Sequence, residues 1–120
     1  MAASTIATSQ AYPAGWSVNA SNADWSGTEV VVAAPAAGES LYLTHLAVNS
    51  DADISITIGF AEDSGAVLAT GVAVGPVNIG AHGSLDIQFD RPIKGTAATA
   101  LVADASGGGL VTIIAQGYTI

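Results

Sequence analysis

Cysteine is absent from this 120-residue chain, and basic residues are nearly so, Arg91 and Lys94 being the only two. Without cysteine there is no disulfide frame and no thiolate chemistry, so packing alone must hold the fold. With two bases against ten acids and a net charge of −8, the chain lacks the cations that displace counterions from nucleic-acid phosphates. The same deficit argues against anionic membrane surfaces. Charged residues of either sign make up 10% of the sequence, against roughly 25% in an ordinary soluble domain. The usual exposed helix formers are scarce: one Lys, one Arg, three Glu and three Gln. No stretch approaches the ~18 apolar residues of a membrane span. The first ten residues lack the positive charge and apolar run of a signal peptide, which leads us to expect a soluble product made in a cytoplasm. The sequon Asn19-Ala20-Ser21 is then read as an accident.

The residues present point to strands. Hydrophobic residues make up 50% of the chain, but 24 of them are alanine, which buries little. The core must come from Val and Ile, 21 together, from seven Leu and from a few aromatics. β-Branched side chains suit a pleated, half-buried surface better than a helix. Fourteen glycines supply turns. A chain of this length holds one domain.

Residues 28–34 (TEVVVAA) read as a short strand ending at Pro35. Residues 40–49 (SLYLTHLAVN) form a long one whose alternation slips. Leu41 and Leu43 share one face while Leu46 and Val48 share the other, which calls for a bulge near Thr44 or His45 or for burial of both faces. Ile54, Ile56, Ile58 and Phe60 alternate cleanly with small polar residues. Weaker strands are expected at 66–70 and 72–79, and further strands at 84–89, 100–104 and 110–119. Turns separate them at 35–38, 50–53, 62–65, 80–83 and 106–109. About eight strands at this spacing predict an all-β antiparallel sandwich. The count fits a jelly roll best, with an immunoglobulin-like sandwich next. Residues 1–27 show no periodic apolar pattern and read as an extended N-terminal arm, leaving 28–120 as the sandwich domain.

No residue set announces chemistry. His45 and His82 lack the spacing of a metal site. Asp51 and Asp53 form a DxD turn and Glu62-Asp63 a second acidic turn, which suit a cation but equally cap a backbone. Ser84, His82 and Asp86 lie close together without a nucleophile elbow. Ser106 and the three glycines after it lack the Lys, the Ser/Thr and the helix of a phosphate loop. We therefore expect no enzyme, no cofactor and no metal. The candidate partner-binding residues are the arm aromatics Tyr12, Trp16 and Trp25, which include both tryptophans of the chain. An arm without its own core holds such residues to dock, either on its own sandwich or on a partner. Outward positions such as Ser55, Thr57, Thr112 and Gln116 are uncharged, so sheet faces can pack against other copies without burying charge.

Three segments resemble small jelly-roll structural proteins of tailed bacteriophages: LYLTHLAVNSDADISITIGF (41–60), GSLDIQFDRPIKGTAATAL (83–101) and LVTIIAQGYTI (110–120). In that group a strand ends in a Pro-x-x-Gly turn, here Pro92 to Gly95, and the final strand ends near Gly-Tyr, here Gly117-Tyr118. The resemblance implies a capsid decoration, or cement, protein: a homotrimer on the outside of the head that bridges major capsid protein subunits. With the charge balance already arguing against nucleic acid and membrane, the resemblance implies a place on the virion surface after synthesis in the host cytoplasm. Fibre and tail-spike domains share the fold. A receptor- or carbohydrate-binding domain of a phage fibre or lectin-like protein is therefore the alternative.

Overall fold

The computed structural model describes residues 14–61 and 71–120, and every regular element among them is a strand. In chain order these are β1 (Ala14–Asp24), β2 (Glu29–Val32), β3 (Leu41–Ser50) and β4 (Ile54–Ala61), then β5 (Val72–Ile79), β6 (Gly83–Lys94), β7 (Ala100–Ala105) and β8 (Gly108–Thr119). They form two antiparallel four-stranded sheets, ordered β1-β8-β3-β6 and β2-β7-β4-β5. The pairing is nested: β1 with β8, β2 with β7, β3 with β6, β4 with β5. The all-β sandwich expected from composition is the observed architecture.

The core lies between the sheets. Leu43, Leu46 and Val48 of β3 meet Ile54, Ile56, Ile58 and Phe60 of β4, with Leu101, Val111 and Ile113 closing the layer. The slipped alternation of β3 is resolved by a bulge. Leu43 sits opposite Gly117 and His45 opposite Gln116, so Thr44 is the extra residue. Its hydroxyl donates to the Gln116 carbonyl oxygen at 3.0 Å. The bulge shifts the side-chain phase by one, and all four leucine and valine positions, Leu41, Leu43, Leu46 and Val48, point into the core. Against β6 the same residue faces a longer excursion. Ile93 pairs with Leu43 and Gln88 with His45, leaving residues 89–92 opposite Thr44 alone. A second irregularity lies on edge strand β5, where Val77 and Val74 pair with Ile56 and Ile58 and leave Gly75-Pro76, a cis peptide, out of register.

The boundary expected at residue 27 does not hold. Ala14–Asp24 is not an arm outside the sandwich but its edge strand β1, paired along its length with β8. Trp16, Val18 and Ala20 pack against the core while Ser17, Asn19 and Ser21 are exposed. That is a period of two, disguised because its members are mostly small. At the end of β1, Asn22 Nδ2 donates to Glu29 Oε2 at 2.7 Å, joining the first sheet to the second. The strand expected at 84–89 also runs further, to Lys94, with Ile93 packed inward. The strand expected at 66–70 and the turn at 62–65 lie outside the described residues.

Candidate interface

Residues 110–120 (LVTIIAQGYTI), most of them in β8, are apolar on both faces. Val111, Ile113 and Ala115 point into the core. By alternation Leu110, Thr112, Ile114, Gln116, Tyr118 and Ile120 point out. Among the described residues the exposed large hydrophobics are Val30, Val72, Leu110 and Ile120, and two of these four close the ends of that outward row. Leu110 is 48% and Ile120 60% exposed.

Register turns this row into a grid across the first sheet. Gly15, Tyr118, Tyr42 and Lys94 lie abreast. Below them come Ser17, Gln116, His45 and Gln88, then Asn19, Ile114, Ala47 and Asp86, then Ser21, Thr112, Asn49 and Ser84. The Tyr42 and Tyr118 rings stack, with centroids 4.9 Å apart and planes 9° from parallel. Lys94 Nζ lies 5.9 Å from the Tyr42 centroid, within cation–π range. His45 Nε2 lies 2.7 Å from Asp86 Oδ1. The Ser21 and Thr112 hydroxyls are 2.6 Å apart. The grid therefore holds one base and one acid, Lys94 and Asp86, besides His45. The excursion at its margin adds Asp90 and Arg91, again one of each sign.

The outer face of the second sheet differs. Thr57 sits opposite Asp104, and no Lys or Arg lies on β2, β4, β5 or β7. A shallow hollow of about 200 Å³ lies there, lined by Ser55, Thr57, Asp104 and Ser106. At one end of the sandwich Asn49, Asp51, His82, Leu110 and Thr112 line an open groove of about 310 Å³.

The three aromatics assigned to docking part company. Trp25 is 2% exposed and belongs to the core, its indole N–H donating to the Val111 carbonyl oxygen at 2.9 Å. It is not available to a partner. Trp16 is half-buried and packs over Gly117, the residue opposite it in β8. A Cβ at Gly117 would strike the Tyr42 carbonyl oxygen and the Trp16 ring, so the close approach requires glycine. The Trp16 Nε1 is buried without a hydrogen-bond partner among the described residues. Tyr12 lies outside the described residues. The aromatics that do stand on an outer face are Tyr42 and Tyr118. The signal for them was the odd-even pattern of β3 and β8, once the bulge at Thr44 is allowed for.

The remaining candidates take structural partners. Asp51 Oδ1 accepts the Leu110 N–H at 2.8 Å, the backbone-capping role open to a DxD turn. Asp86 is engaged by His45, while His82 sits in the turn before β6 with φ of 58°. Among the described residues no group of three or more His, Cys, Asp or Glu is placed to hold a metal ion, and no helix is long and apolar enough to cross a membrane. Asp24 accepts hydrogen bonds from the Ser26 side chain and backbone, and these hold its carboxyl below the usual carboxylate range. No family model and no curated protein matches this chain.

Proposed function

We propose that this chain is a structural virion protein that binds the outside of a tailed-phage capsid as a homotrimer and braces the shell by bridging capsid subunits. The observation that carries the reading is the nested strand order. Pairing β1:β8, β2:β7, β3:β6 and β4:β5 is the order of a chain folded in half and rolled up, which supports a jelly roll. The segments that resemble phage decoration proteins fall on β3, β4, β6, β7 and β8. The mechanism is area and valency: each copy touches several capsid subunits, and three weak contacts held in one trimer act as one strong contact. The test is to mix purified protein with expanded heads stripped of decoration, pellet the heads, and follow their melting. Co-sedimentation with a raised melting temperature is the expected result. Protein left in the supernatant across the heads tried would sink the reading.

A receptor- or carbohydrate-binding role is the second reading, favoured by the groove that gathers Asn49, Asp51, His82 and Thr112 around the exposed Leu110. Hydroxyl-rich ligands suit polar side chains set beside an apolar one. Titration with host-surface glycans, followed by chemical shifts at these residues, separates this role from shell bracing.

A further inference from the structure

We infer that the outer face of the β1-β8-β3-β6 sheet is where copies of this chain meet. The inference rests on the homotrimer reading and names its contact surface.

The first ground is charge. Any contact between identical chains of net charge −8 brings like charges together unless it uses a neutral patch. The grid is such a patch. Lys94 offsets Asp86, His45 lies against Asp86, and Arg91 offsets Asp90 at the margin. Both bases of the chain lie on or beside this one face. The second sheet presents Asp104 with no base on any of its strands, so its face would set acid against acid.

The second ground is the central row. Leu110, Ile114, Tyr118 and Ile120 run down the middle of the neutral face, with Tyr42 stacked beside Tyr118. Apolar and tyrosine residues in the middle with small polar ones around them are the make-up of an interface core and rim. On the flanks stand Ser17, Asn19, Ser21, Asn49, Ser84 and Gln88, uncharged groups that can exchange hydrogen bonds with a copy.

Area is the third ground. Four strands at about 4.8 Å spacing and a row running from Leu110 to Ile120 at about 3.4 Å per residue span roughly 600 Å². That is of the order of the ~800 Å² each partner gives to a stable interface.

The experiment is absolute mass in solution for the full chain and three variants, with far-UV circular dichroism to confirm that each is folded. Ile114→Arg and Gln116→Lys place a charge at the centre of the grid, the second at an exposed position where folding is not at stake. Thr57→Arg places one on the opposite sheet. The expected result is a parent of about three times 11.8 kDa, unchanged in Thr57→Arg and reduced to single chains in Gln116→Lys and Ile114→Arg. If Gln116→Lys keeps the parent mass, or Thr57→Arg loses it, the face is assigned wrongly while the trimer stands. A parent that is monomeric at every concentration overturns the inference, and capsid co-sedimentation then decides the proposed function separately. A parent dimer broken by Gln116→Lys supports the face and overturns the trimer.

Discussion

Trp25 ties the corner between β1 and β2 to β8, through burial and through its N–H bond to the Val111 carbonyl oxygen. Trp25→Ala is expected to cost about 3–5 kcal/mol, the range for deleting a large buried aromatic. Trp25→Phe keeps most of the apolar contact but leaves the Val111 carbonyl short of a donor, a loss of about 1–3 kcal/mol. Trp16 makes the opposite case. Its N–H is buried with no partner among the described residues, so Trp16→Phe removes a desolvated donor and is expected to fall within about 1 kcal/mol of the parent. Urea denaturation of the three variants checks both statements, and a Trp16→Phe loss as large as that of Trp25→Phe would contradict the contrast. Asp24 gives a pH prediction. Its folded pKa is depressed, so its contribution is present above the ordinary Asp value of about 3.9 and fades as pH falls through the lower folded value. An NMR titration should place its midpoint below that of Asp24 in the unfolded chain, and equal midpoints would remove the contribution.

At the scale of elements, the Thr44 bulge sets the phase of β3. Deleting Thr44 removes the extra residue and leaves an unbroken alternation opposite β8, in which Leu41, Leu43, Leu46 and Val48 still share the core face. The variant is expected to keep a cooperative thermal melt, and a non-cooperative one would show that the bulge does not set the phase as described. Truncation separates the leading segment from β1. Removing residues 1–27 deletes an eleven-residue edge strand and a core tryptophan, so that product should not fold. Removing residues 1–13 leaves every described core residue in place, and this is the truncation that tests an arm by capsid binding. The bulge was legible because large residues changed face midway through a strand. β1 was missed because Ala, Ser and Asn fill most of its positions, and a period of two carried by small side chains leaves little hydrophobic contrast. β6 was read short because Asp90, Arg91 and Pro92 looked like a stop, whereas they form an excursion and the strand resumes at Ile93. For the candidate interface, the lack of charge at Thr112 and Gln116 was visible in the sequence. Which strands lay beside them, and that Tyr42 would stack on Tyr118, depended on pairing across some seventy residues of chain.

For the whole molecule, net charge opposes assembly at long range while the neutral face permits it at contact. Self-association should therefore tighten with salt, since a Debye length near 10 Å at 0.1 M screens repulsion between acidic copies. Sedimentation velocity at about 0.02 M and 0.3 M salt checks this, and weaker association at the higher salt would point to ion pairs as the driving contacts instead. The nested pairing also bears on how the protein is made. β4 and β5, adjacent in sequence, pair with each other, whereas β1 pairs with β8, so Ala14 lies opposite Thr119. A ribosome makes β1 before the other described strands and its partner after them, at roughly 5–20 residues per second. The β1–β8 edge of the sheet therefore closes only after β8 has been made, and until then β1 waits with its row of Trp16, Val18 and Ala20 unpaired.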